Sequence, residues 1–172
     1  MKVRVLALLL VLSACSCTPP RDATAQQRFD FWVQWNVTVD YITLPDTVCG
    51  GYDNDLHRVV LDRACLAEHA PSPEATAFVT YHELAHAADH LALGFIEGVG
   101  PCYNETRGGV PVNLCQGWER AAQCIAEAVL GYTMTPDPAK MSAADAERLG
   151  YWDCPPDHVA RASAALAAKG LL

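Results

Sequence analysis

The sequence has no Cys-x-x-Cys pair, no block of lysine and arginine, no internal repeat and no apolar run long enough to span a bilayer. Each absence removes a class. Without Cys-x-x-Cys spacing, the eight cysteines do not read as a zinc finger or ribbon. With 12 basic against 20 acidic residues and a net charge of −8, no cationic face is available for a phosphate backbone, which argues against a nucleic-acid partner. Charged residues are only 19%, too few for a coiled coil, while 51% hydrophobic residues exceed what a disordered chain carries. A length of 172 residues favours one domain.

The start of the chain is read separately. Met1-Lys2-Val3-Arg4 is a short basic stretch, followed by the apolar run Val5 to Leu12 and then Leu12-Ser13-Ala14-Cys15. That order suits a signal peptide. Its end resembles the bacterial lipobox, in which cleavage exposes the cysteine and its thiol is lipidated. The resemblance implies a signal peptide over 1–14, a lipidated Cys15 and a tether over 15–28 containing Pro19-Pro20, with the folded domain over 29–172. It also implies an exported protein, anchored at the outer face of the bacterial cytoplasmic membrane or in the cell envelope. The alternative is simple secretion, with cleavage after Ala23-Thr24-Ala25.

With Cys15 lipidated and Cys17 in the tether, six cysteines remain: Cys49, Cys65, Cys102, Cys115, Cys124 and Cys154. An even number in an exported domain suggests disulfides. Sequence does not settle their connectivity. The nearest-neighbour set, Cys49–Cys65, Cys102–Cys115 and Cys124–Cys154, is the expectation.

Periodicity suggests an α+β order. From Val33 to Tyr41 apolar and polar residues alternate, the mark of a half-buried strand. Pro45-Asp46 ends it, and segments 47–53 and 56–62 flank Asn54-Asp55 as a hairpin. About three antiparallel strands are therefore expected. Pro71-Ser72-Pro73-Glu74 opens a helix, with Ser72 as N-cap, that should run to about Leu93 and stop at Gly94. Residues 94–117 are glycine-rich and read as a long loop that Cys102–Cys115 would staple. Helices follow over 118–132, from Ser142-Ala-Ala-Asp145, and over 157–169.

The chemistry lies in the first long helix. His82-Glu83-Leu84-Ala85-His86 matches His-Glu-x-x-His. Residues four apart share a helix face, so two imidazoles can bind one Zn²⁺ from the same side. Glu83, beside the first histidine, can act as general base on a zinc-activated water. His90 continues the spacing, but it lies about 12 Å along the axis from His82 and cannot share a tetrahedral ion with it. It reads as a solvated residue or one supporting a ligand.

A catalytic zinc needs a third protein ligand and an open position. Asp89, Glu97, Glu105, Glu119, Glu127 and His158 are candidates. Asp89 is too close in sequence to reach the far side of the ion. It also stands where the metzincin pattern requires glycine, and Ala92 stands where that pattern requires histidine. Glu119 and Glu127 lie on the second helix, whose apolar stripe is Ala122, Ile125, Ala126, Val129 and Leu130. Glu119 sits at the edge of that stripe.

His-Glu-x-x-His followed by a helix with this Glu119-Arg-Ala-Ala122-Gln123 order resembles the gluzincin metallopeptidases, the minimal and lethal-factor-like domains above all. His82 to Asp89 is similar to the His-Glu-x-Gly-His-x-x-Asp form of the latter. The resemblance covers roughly residues 57–131. It implies that His82, His86 and Glu119 are zinc ligands, Glu83 is the general base and the substrate is a peptide or protein. Gln123 falls where many gluzincins carry an acidic or Asn partner for a ligand histidine. Glu127 stays an alternative third ligand or an exposed helix charge, and Asp89 an alternative supporting residue.

The remaining residues are read structurally first. His57 and Asp55 belong to a hairpin surface, though a strand beside the His-bearing helix could offer its backbone to an extended substrate. Tyr132, Tyr151 and His158 are structural, with oxyanion stabilisation as the alternative. Asn104-Glu105-Thr106 matches a glycosylation sequon, set aside because the export signal is bacterial in type. Trp32, Trp35, Trp118 and Trp152 are core or tether-proximal packing. The expectation is a monomeric, exported, membrane-anchored zinc metallopeptidase. The alternatives are an envelope protein holding zinc without catalysis and a zinc-dependent amidase acting on a cell-wall amide.

Overall fold

The structure, a computed structural model, describes residues 19–44, 48–70, 72–98, 100, 102–107, 110–133 and 154–172, with only the backbone of 103–107 and 110–114. The signal peptide, Cys15, Cys17, Pro45-Asp46, the helix expected from Ser142, Tyr151 and Trp152 lie outside these residues.

The chain is α+β. Helix α1 spans Ala25–Asn36, begun by a capping box in which Thr24 Oγ1 accepts from the Gln27 amide and Gln27 Oε1 accepts from the Thr24 amide. It therefore starts within the stretch read as tether. Its face carries Phe29, fully buried, and Val33 one turn on. This corrects the expected strand over 33–41. The helical pair Phe29–Val33 wins over the alternation Val33–Trp35–Val37, and Trp35 is left 60% exposed. Only Thr38–Tyr41 is extended, as β1.

β2 is Gly50–Asp53 and β3 is Arg58–Leu61. The sheet order is β1-β3-β2, with β3 parallel to β1 and antiparallel to β2. The sheet is thus mixed, where an antiparallel one was expected. The Asn54-Asp55 hairpin joins β2 to β3 as read, but β1 arrives from α1 and pairs with β3 in the same direction.

Helix α2, Arg63–His69, has no counterpart in the sequence reading. Asp62 caps it, accepting from the amides of Ala64 and Cys65, and also takes the Leu44 amide. Helix α3, Pro73–Ala88, starts as predicted, with Ser72 Oγ accepting from the Ala75 amide and Pro73 at the first position. It continues as a π turn over Asp89–Leu93 and ends on Gly94 at φ +71°.

The segment read as a long loop contains a hairpin, β4 (Cys102–Arg107) and β5 (Val110–Cys115). Cys115 then caps α4, Gln116–Leu130, which ends on Gly131. Helix α5 is Pro156–Ala168.

All three nearest-neighbour disulfides are present: Cys49–Cys65, Cys102–Cys115 and Cys124–Cys154. The first ties the start of β2 to α2, the second joins facing residues of the hairpin, and the third joins α4 to the residues before α5.

The core lies where α3 and α4 pack on each other, with the sheet, α1 and α5 around them. Alanines dominate the contact: Ala85, Ala88, Ala121, Ala122 and Ala126 are all fully buried. Small side chains let the two helices approach closely, so polar groups projecting from the ends of their faces can meet. Phe29, Phe78, Leu61, Ile125 and Leu166 fill the volume around that seam.

Candidate metal centre

Four residues apart on α3, His82 and His86 stand on one face with ring centroids 4.9 Å apart. Glu119 comes from the first turn of α4. One of its oxygens, Oε2, lies 3.2 Å from His82 Nε2 and 3.5 Å from His86 Nε2. The three ligand atoms lie within 4.8 Å of one another, and the three side chains can hold a metal ion. A tetrahedral cation with bonds of about 2.0–2.1 Å separates its ligands by about 3.3 Å, so the observed spacing fits such an ion. All three side chains are mostly shielded, at 13–15% exposure.

The three side chains are electrostatically coupled. Burial opposes a charge on His86, yet the Glu119 carboxylate, with Glu83 and Asp89 behind it, pushes its pKa up to about 9. Burial also works against ionised Glu119. The charge on His86 and hydrogen bonds from both rings nevertheless hold its carboxyl well below the usual carboxylate range.

Glu83 is half-buried beside this set and is not one of the three ligands. Burial pushes its carboxyl pKa up, and the nearby Glu119 charge adds to this while His82 and His86 oppose it. Its side chain lies against the backbone of Gly50 on β2, so closely that no Cβ fits there. Gly50 was not singled out from the sequence. The available signal was the Gly50-Gly51 pair opening a strand, where glycine permits close approach by another group.

The other candidates go elsewhere. Glu127 is 3% exposed and bonded to Gln123 Nε2 (2.8 Å) and Thr133 Oγ1 (3.3 Å), neither an exposed charge nor part of the triad. Gln123 is fully buried and makes no hydrogen bond to either imidazole, and its Oε1 has no partner among the described residues. Asp89 is 2% exposed, and its Oδ1 accepts from the Ile96 amide, holding the turn after α3. Burial raises its pKa. Glu97 pairs with His158 (3.3 Å) and Arg161 (3.0 Å) of α5. Tyr132 donates to the Glu74 carbonyl at the far end of α3, so it does not reach the triad. His90 is half-buried, with Nδ1 3.1 Å from the Tyr52 hydroxyl. His57 and Asp55 are exposed on the β2–β3 turn as expected. Glu105 and the sequon residues Asn104 and Thr106 lie on β4, where the backbone alone is described.

A second anchor fixes the residue before the first histidine. Tyr81 donates to Asp30 and accepts from Gln26 Nε2, so α1 is bonded directly to α3 one residue from His82. Burial and the Asp30 contact raise the Tyr81 pKa, keeping the phenol protonated.

Comparison of the chain with protein-family models, with curated proteins and with solved structures finds no match.

Proposed function

We propose that the protein is an exported zinc metallopeptidase, tethered through a lipid on Cys15, in which His82, His86 and Glu119 hold zinc and Glu83 is the general base. The observation that carries this reading is the single Glu119 oxygen facing both imidazole Nε2 atoms, with Glu83 beside the set but outside it. Two neutral imidazoles and one carboxylate are a three-ligand set that leaves a coordination position open, as a catalytic site requires. Among the described residues no fourth histidine, cysteine or carboxylate joins the three, which speaks against a closed structural site.

When bound there, zinc supplies a Lewis acid and lowers the pKa of a water. Glu83 accepts a proton from the attacking water and returns it to the leaving amine nitrogen. β2 is an edge strand, paired only with β3 among the described residues, so its outer edge offers backbone groups to an extended peptide. Three disulfides fit folding in an oxidising compartment, in keeping with export.

The test is the contrast between two kinds of variant. Glu83→Gln should keep stoichiometric zinc and lose peptide hydrolysis. His82→Ala, His86→Ala and Glu119→Ala should lose or weaken zinc binding, read by metal analysis after dialysis. Full peptidase activity in Glu83→Gln, or wild-type zinc affinity in Glu119→Ala, would overturn the assignment.

A further inference from the structure

One row of rings lies outside the metal-ligand triad, with Tyr52 packed against the core at one end. The Tyr52 hydroxyl is 3.1 Å from His90 Nδ1. His90 stacks on Phe95 with centroids 5.6 Å apart, and Phe95 stacks on Trp118, again at 5.6 Å. All four are half-buried. Leu93 and Ile96, either side of the Gly94-Phe95 pair, pack against the core, whereas Phe95 and Trp118 do not.

The row is tied to the candidate metal centre through the chain: His90 follows His86 by four residues. Trp118 immediately precedes the ligand Glu119. Tyr52 is two residues from Gly50 on β2, and alternate residues of a strand share a face, so Tyr52 lies on the side where Gly50 meets Glu83. The row is therefore carried by the same elements, β2, the end of α3 and the start of α4, that carry Gly50, His86 and Glu119.

Two residues at the row have left-handed backbone. Phe95 has φ +64°, a conformation that a bulky residue rarely adopts and that glycine takes freely. His57, whose ring meets His90 edge-on at 6.0 Å, has φ +49°. Strained positions of this kind collect at functional sites. Among the described residues the Trp118 indole N–H has no acceptor, and its ring stacks on Phe95.

We infer that Tyr52, His90, Phe95 and Trp118 form a specificity wall that selects a bulky apolar side chain, aromatic above all, next to the peptide bond that is cut. None of the four carries a fixed charge, so the wall offers apolar and π surface and no counter-charge for an acidic or basic side chain. The inference rests on the peptidase reading and adds the class of substrate residue to it.

The experiment measures binding without turnover. Zinc-loaded Glu83→Gln protein is titrated with blocked hexapeptides of glycine and serine carrying one Phe, Ala or Lys at each position in turn. At one position Phe should bind about tenfold tighter than Ala. That ratio should fall to about one when Phe95→Gly is added, with zinc content unchanged. His90→Ala, made in parallel, should lower the same ratio and serves if Phe95→Gly does not fold. The wall is overturned if no position prefers Phe, if Lys is preferred over Phe, or if the Phe/Ala ratio survives both substitutions. A variant that only loosened the fold would weaken all peptides together and leave the ratio intact.

Wild-type cleavage assays on the same peptides separate the two claims. Cleavage without a Phe preference overturns the wall and keeps the peptidase. Preferential binding of Phe peptides with no cleavage overturns the peptidase and keeps the wall as a binding surface.

Discussion

Gly50 and Glu83 share a space that no larger residue at position 50 can enter. A Cβ built on Gly50 would lie 2.7 Å from Glu83 Cγ and 3.0 Å from its Oε1. Strand β2 and the Glu83 side chain are thereby set in contact.

Gly50→Ala must therefore displace either Glu83 or the edge of β2. The triad does not include Glu83, so zinc should stay bound. A carboxylate moved by about 1 Å from its working position should lower kcat about 100-fold. Parallel zinc analysis and steady-state kinetics check this. Wild-type kcat in a zinc-replete Gly50→Ala protein would show that the contact does not position the base.

The metal-free and metal-loaded proteins should respond to pH with opposite signs. In the metal-free protein the His86 pKa is raised to about 9 by Glu119. The stabilisation from this pair is fully present below the ordinary imidazole value of 6.5 and lost as pH rises through about 9. Glu119, held low, contributes above its ordinary value of 4.5, and that contribution is lost as pH falls through its depressed pKa. Zinc instead needs deprotonated imidazoles, so its affinity should climb as pH rises toward 9 and its binding should release protons. Thermal melts with and without chelator from pH 5 to 9 read the first effect. Zinc calorimetry in two buffers of different ionisation enthalpy reads the second.

The disulfide between Cys124 and Cys154 anchors the residues before α5 to the middle of α4, where Cys124 is fully buried. Cys124→Ala with Cys154→Ala should lower stability by about 2–5 kcal/mol, seen as a lower denaturation midpoint. Thiol titration of the unreduced, denatured protein should find none of the six domain cysteines free.

Export should leave a modified N-terminus. Mass spectrometry of membrane-extracted protein is expected to show a mature chain beginning at lipidated Cys15. An unmodified chain beginning at Gln26 would instead mark simple secretion.

Much of the metal centre was legible because its parts are local. His82 and His86 meet through the four-residue repeat of one helix, and the caps of that helix, Ser72, Pro73 and Gly94, are written beside it. The disulfides follow the same logic, since each joins cysteines no more than 30 residues apart. Where two local patterns compete, sequence alone does not choose. Residues 33–36 fit both a strand alternating through Trp35 and a helix paired with Phe29. Burial of Phe29 against the rest of the core selects the helix.

Only the tertiary structure places Glu119 at the imidazoles and Glu127 elsewhere. Both stand on the same helix, and their difference arises from how the alanine seam docks α4 on α3. The parallel pairing of β1 with β3, the contact of Gly50 with Glu83 and the ring row from Tyr52 to Trp118 are decided in the same way. Hydrophobic periodicity records which face of an element is buried. It holds no record of which other element that face meets, because packing depends on the shapes of both partners at once.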